Sequence, residues 1–162
     1  MGVVHVGLAA VLAVLVVLGL RAQVAEPVRV VGDSMSPTLD PGDVVLVDKR
    51  GECCERGDLV AFTSPRDGAL TVKRVAGTSG DVVAIEGGVL VVDGERVREP
   101  YVDPESVDAL YYGPVTVPPG SLLVLGDARG ESIDSRDHGP VPASSVTGRV
   151  ALGLWPPSWS AG

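Results

Sequence analysis

The sequence predicts an all-β protein: an antiparallel β-sheet core carrying a small cap subdomain and preceded by one N-terminal transmembrane helix. Three observations lead there. Gly2 to Leu20 is an apolar run without a charged residue. Beyond it, short Val/Leu-rich runs recur, each opened by a Gly-Asp or Gly-Ser turn, which is the pattern of strands joined by tight turns. No long stretch after the first run shows the 3.6-residue periodicity of an amphipathic helix.

The first run, GVVHVGLAAVLAVLVVLGL, is interrupted only by His5. As a helix it spans roughly 28 Å against roughly 30 Å of bilayer hydrocarbon, so residues 2–20 read as a membrane anchor. A removable secretory signal is the competing reading, but the segment lacks an N-terminal Lys or Arg and exceeds the usual apolar length of about 7–15 residues. The single flanking Arg21 would by itself leave the body of the chain in the cytoplasm. Residues 21–27 (RAQVAEP) read as a polar connector, and the folded unit, residues 28–162, is expected to begin near Val28.

Strands are expected within PGDVVLVDK, RGDLVAFTS, SGDVVAIEG and PPGSLLVLGD. Asp93-Gly94 in GGVLVVDGERV supplies the two positive φ angles of a tight hairpin turn. Ser34 to Leu39 is expected to interrupt the first strands as a single helical turn. Arg56-Gly57-Asp58 reads as turn chemistry before a strand rather than as an adhesion motif. The stretch from about Gly87 to Pro119, polar and carrying all three tyrosines, reads as the cap inserted between two core strands. Trp155 is expected to pack at an edge of the sheet, with Trp159 in a frayed Pro-rich tail; the other reading puts both indoles at lipid headgroup depth.

The 162 residues fit one domain, and 21 Gly with 13 Pro is turn-rich without reaching low complexity. A formal charge of −8 with scattered basic residues argues against nucleic-acid partners and against adhesion to anionic lipid, so contact with the bilayer should be apolar. Two adjacent cysteines, Cys53 and Cys54, leave free thiols, a strained vicinal bridge or an intermolecular link all open. With only two histidines and no Cys/His spacing, no metal and no other cofactor is expected. The oligomeric state is not legible.

A hydrolytic nucleophile needs a base, and the chain offers few: Lys49, Lys73 and His138. Ser34 sits where a strand must stop and turn, which exposes a hydroxyl and points backbone N–H groups outward; Gly32 lets another chain approach, so an oxyanion site fits there. Alone, Ser34 reads better as a turn or capping serine. Lys73 shifts the balance, because in LTVKRVA it shares a strand face with Thr71 and Val75 while Arg74 faces the other way with Val72. In water about one lysine in 2,500 is neutral at pH 7, a gap of roughly 4.6 kcal/mol that burial among valines can remove. Lys49, beside Asp48 and Arg50, reads as solvated. A third stretch, GDARGESIDSRDHGP, is dense in polar groups: Arg129 and Arg136 among Asp127, Asp134 and Asp137 read as an ion-pair scaffold, with Ser132 available to a base.

Together SMSPTL with PGDVVLVDK, TVKRVAG with SGD, and GDARGESIDSRDHGPVP resemble, in order, the conserved boxes of the bacterial type I signal peptidases, membrane-bound serine proteases of the serine–lysine dyad kind. The resemblance spans Val28 to about Arg149. It implies that Ser34 is the nucleophile, that Lys73 is the general base, and that Ser132 orients the lysine amine. Asp127, Asp134 and Arg136 would form the scaffold, with Arg136 paired to an Asp. Val30, Leu39, Val45 and Val72 match pocket-lining positions for small residues at the first and third places before the cut. Two departures stand out: Gly32 replaces a serine that assists the oxyanion in some members, and Ala128 replaces an Asn. The resemblance also implies preprotein signal peptides as substrates and a body outside the cytoplasmic membrane, contrary to the Arg21 signal. A dedicated single-client maturation protease of the same fold remains a rival. So does a catalytically silent, membrane-anchored β module that binds extended peptides. A self-cleaving regulator would couple the dyad to DNA recognition, for which this chain has an anchor instead, and a triad through His138 has no spacing to support it.

Overall fold

The computed structural model describes residues 24–51, 54–103 and 111–155. In chain order the elements are β1 (Ala25–Arg29), β2 (Val44–Asp48), β3 (Leu59–Thr63), β4 (Leu70–Gly77), β5 (Val82–Glu86), β6 (Val89–Val92), β7 (Glu95–Arg96), β8 (Tyr111–Thr116), β9 (Ser121–Leu125), α1 (Ser135–His138), β10 (Val141–Pro142) and β11 (Val146–Trp155). A 3₁₀ turn, Ala143–Ser145, precedes β11. The fold is all-β, and every strand pair is antiparallel. The predicted anchor, residues 2–20, lies outside the described residues; among those described, no helix is long and apolar enough to cross a membrane.

A seven-stranded sheet runs β1-β2-β11-β3-β4-β9-β10, and a four-stranded sheet runs β7-β6-β5-β8. β3, LVAFT, is buried on both faces, which is why its sequence is continuously apolar rather than alternating. Leu59 and Ala61 join Val30, Met35, Leu39, Val45, Val47 and Val150 in one cluster. Val60 and Phe62 face the opposite way and join Val75, Leu122, Val124 and Val141. A third cluster ties the sheets together, with Leu123 and Leu125 of β9 meeting Val83, Ile85, Leu90 and Val92 of the smaller sheet.

Several boundaries differ from the sequence reading. Ala25–Pro27, expected as connector, belongs to β1: Ala25 pairs with Asp48 and Pro27 with Leu46, and Pro is tolerated because β1 is an edge strand. The smaller sheet takes in Val82–Glu86, upstream of Gly87, since β5 pairs with β6 and β8 rather than with the larger sheet. Asp93 (φ 52°) and Gly94 (φ 82°) form the expected hairpin turn between β6 and β7. Gly57 turns the chain at φ 97° before β3, as the Arg-Gly-Asp reading required. β11 carries the chain to Trp155, in register with Val44; Trp159 lies outside the described residues. Cys54 is disulfide-bonded and nearly buried; the chain's only other cysteine, Cys53, lies outside the described residues.

Candidate active site

The turn after β1 is built to present Ser34. Val30 exchanges backbone hydrogen bonds with the β2 side, its N–H donating to Asp43 O at 2.8 Å and its carbonyl accepting from Gly42 N at 2.8 Å. The chain then reverses: Ser36 N–H donates to Asp33 O at 2.8 Å and Leu39 N–H to Met35 O at 2.9 Å. This is a hydrogen-bonded turn and not the single helical turn expected from Ser34 to Leu39, since no residue there is helical. Met35 and Leu39 anchor it at 2% and 1% exposure, each burial worth roughly 1.5–3 kcal/mol. The Ser34 backbone is thus fixed from below while its hydroxyl stays in the open turn. The Ser34 N–H donates to no described group, so it is available to a developing oxyanion.

Lys73 reaches Ser34 from β4. In the ladder it stands opposite Val60, and it shares that face with buried Val75, as strand alternation requires. It is 2% exposed, and its Nζ donates to Ser34 Oγ at 2.5 Å. Desolvation pushes the lysine pKa down to about 8, while Asp134, Asp127 and Asp33 pull it up and Arg136 adds to the lowering.

Asp134 organises the third stretch. It is fully buried and accepts from Arg136 Nε at 2.9 Å on one oxygen. On the other it accepts from Arg136 Nη2 at 2.9 Å, Gly126 N at 3.0 Å and Ser132 Oγ at 2.7 Å. Burial alone would push its pKa up; the Arg136 guanidinium and the Gly126 N–H overcome that and hold it below the usual carboxylate value. Asp134 also caps α1, and Asp137 reciprocates by accepting from the Asp134 N–H. Ser132, expected to orient the lysine amine, spends its proton on Asp134 and keeps its lone pairs; among the described residues no hydrogen bond joins it to Lys73. Arg129 and Asp127 find partners outside their own loop. Asp127 takes a two-pronged bond from Arg74 (Nε 2.9 Å, Nη2 2.7 Å) and one from Thr38 Oγ1 at 2.5 Å. Arg129 donates to Glu99 at 2.5 Å and to Gly126 O at 3.0 Å.

Arg74, read from sequence only as the outward neighbour of Lys73, is therefore the clamp between the lysine strand and the third stretch. Its guanidinium also lies 3.7 Å from the Tyr101 ring centroid, a cation–π contact. Nothing local signals this, because Asp127 is 53 residues away. The demand for glycine at position 126 is likewise set by a distant segment. A Cβ there would collide with the Ser132 side chain and stand 2.5 Å from the Ser34 carbonyl oxygen, so only glycine lets the three segments meet. The Ala128 N–H closes the junction by donating to that carbonyl at 3.2 Å.

Ser34 lies at one end of a cleft of about 220 Å³. Val28 to Gly32 form one wall and Leu70 to Val72 the other, with Met35 beside Ser34. The large sheet curls to bring these two edges together. β1 is its outer strand, and Leu70–Lys73 of β4 pair only with β3, β9 joining no earlier than Arg74. Val30 and Val72 line the cleft as expected; Leu39 and Val45 do not reach its surface but lie buried in the cluster beneath. The other bases stand apart: Lys49 is ion-paired with Glu26 across β1 and β2, and His138 Nδ1 donates to Gly139 O.

The comparisons with known proteins agree with one another. Residues 3–155 match the family model described as signal peptidase, peptidase S26. A signal peptidase I from Leptolyngbya laminosa is 35% identical over 166 residues, covering 96% of this chain and 79% of the relative. A signal peptidase I from Bacillus caldolyticus is 36% identical over 159 residues, covering 89% and 87% respectively. The crystal structure of a signal peptidase I from Enterococcus faecalis V583 superposes with a TM-score of 0.55 at 32% identity, covering 61% of this chain and 97% of that one. With a serine under a buried lysine at the end of a strand-lined cleft, and with the family matched along nearly the whole chain, this protein belongs to the S26 signal peptidases and is a serine endopeptidase of that type.

Proposed function

We propose that the protein is a membrane-anchored endopeptidase that removes N-terminal signal peptides from exported preproteins through a Ser34–Lys73 dyad. The observation that carries this reading is the Lys73 Nζ, out of water and 2.5 Å from the Ser34 Oγ. With a pKa of about 8, roughly a tenth of the lysines are neutral at pH 7. The neutral amine accepts the Ser34 proton as Oγ attacks the scissile carbonyl; the resulting oxyanion takes the Ser34 N–H. The lysine ammonium then gives that proton to the departing amine, leaving an acyl group on Ser34 and the amine base restored. A water that loses its proton to Lys73 hydrolyses the ester and returns the hydroxyl to Ser34.

The substrate enters as a guest strand between β1 and β4, whose facing edges carry unpaired backbone groups. Alternate side chains of such a strand point toward Val28, Val30 and Val72, where the cleft admits small residues and rejects large ones by overlap. Gly32 leaves the oxyanion to the backbone. The apolar run of residues 2–20 supports a single-pass anchor, with the catalytic body on the extracytoplasmic side. No nucleic acid and no metal take part in this scheme.

The test is cleavage of a preprotein reporter by the full chain purified in detergent. Ser34→Ala and Lys73→Ala should each lose activity by about a thousandfold or more, while Lys49→Ala and His138→Ala keep it. The wild-type rate should rise with pH and level off above about pH 8, because the free amine is the active form. A profile flat from pH 5 to 9, or loss in His138→Ala with Lys73→Ala active, would overturn the dyad.

A further inference from the structure

Arg29 has no role in the dyad, the scaffold or the core. It is exposed, and among the described residues it makes no hydrogen bond or ion pair. Yet it lines the cleft, and it brings the only charge among the described lining residues. Its neighbours Val28 and Val30 turn into the apolar cluster, so Arg29 and the 84%-exposed Val31 must project from the other face of the same strand. The backbone repeats the alternation: Val30 spends both of its polar groups toward β2, which leaves those of Arg29 and Val31 pointing to the open edge.

Register follows from these facts, given the guest-strand reading above, on which this inference rests. The cleft runs from Ser34 back past Gly32 to Val28, so residues preceding the cut lie successively beside positions 32, 31, 30 and 29. The first and third then share the inward face of Val30, as the small-residue pockets require. The second stands beside Val31 and the fourth beside Arg29, both outward. We infer that Arg29 is a specificity residue that selects an acidic side chain at the fourth position before the cut and disfavours a basic one there. A guanidinium at an exposed strand edge, facing a carboxylate directly across, supports a discrimination of severalfold that salt screens.

The experiment uses the full chain in detergent and a set of peptides sharing one cleavable core, with Glu, Gln or Lys at the fourth position and, separately, at the second. Wild type should cleave the fourth-position Glu peptide about fivefold faster in kcat/KM than its Lys counterpart at low salt, with a smaller ratio at the second position. The Glu/Lys ratio should fall to about one in Arg29→Gln and invert in Arg29→Glu, and in 1 M NaCl the wild-type preference should fade. Because each ratio is taken within one enzyme preparation, a general loss of activity in a variant does not alter it. Equal cleavage of the fourth-position Glu and Lys peptides, a ratio larger at the second position, or a preference that survives Arg29→Gln overturns the inference while leaving the peptidase reading standing. Failure to cleave any of the peptides overturns both.

Discussion

Replacing Lys73 by Met should stabilise the protein while silencing it. At pH 7 the folded chain holds an ammonium that burial disfavours by the distance between an ordinary lysine pKa of 10.5 and about 8, or about 3 kcal/mol. Met has similar length, no charge, and suits a face shared with Val60 and Val75. The lost hydrogen bond to Ser34 returns about 1 kcal/mol, for a net gain of about 2 kcal/mol and a Tm higher by about 6 °C. The pH dependence identifies the cause. Below pH 8 both folded and unfolded wild type carry the proton, and the folded state bears the full cost. Between pH 8 and 10.5 only the unfolded chain keeps the proton, so wild-type stability climbs with pH, and by pH 10.5 the cost is gone. The advantage of Lys73→Met should therefore shrink across that window and reverse by about 1 kcal/mol beyond it. Thermal denaturation of both proteins in detergent from pH 6 to 11 measures this directly. Other titrating groups are common to the two and cancel in the difference. A variant less stable than wild type at pH 7, or an advantage that does not change with pH, would refute the account of a desolvated amine.

Two glycines should behave oppositely. Gly126→Ala forces the Ser132 side chain or the Ser34 carbonyl to move and should cost about 1–3 kcal/mol in urea denaturation, with a disproportionate loss of kcat. Gly32→Ser meets nothing within 4 Å, so stability should hold, and the added hydroxyl should raise kcat severalfold in the cleavage assay by offering the oxyanion a second donor. Asp127→Ala takes the carboxylate from the partly buried Arg74 guanidinium, which keeps Gly57 O and Thr38 Oγ1 as partners, and should destabilise by about 2–4 kcal/mol; the double replacement with Arg74→Met should recover part of that loss, read in the same urea titrations.

What could be read in the sequence was what depends on near neighbours. The alternation in LTVKRVA placed Lys73 on the inward face because adjacent strand residues must point opposite ways. The Asp93-Gly94 turn followed from backbone sterics alone. β1 began earlier than expected because pairing with β2 outweighs the polar composition of Ala25–Pro27, and no local pattern reports a partner strand. α1 went unread because four residues are too few to show a period, although Asp134 and Asp137 stand at the spacing of a capping box. The Arg74–Asp127 clamp, the Arg129–Glu99 pair and the vacancy demanded at Gly126 join segments dozens of residues apart. Asp127 and Arg129 were legible as scaffold charges, but their partners Arg74 and Glu99 looked like ordinary surface charge, and Gly126 like an ordinary turn glycine, until the chain folded.

The seam between β1 and β4 has a consequence for the molecule's behaviour in crowded surroundings. An unsatisfied strand edge normally invites open-ended stacking, one chain templating the next. Here two such edges face each other, so whatever docks is hemmed in on both sides and has no free edge left to recruit another. The seam is also short, with a proline in β1 and a guanidinium near its mouth. The same geometry that admits a single extended visitor caps the growth of any aggregate after one.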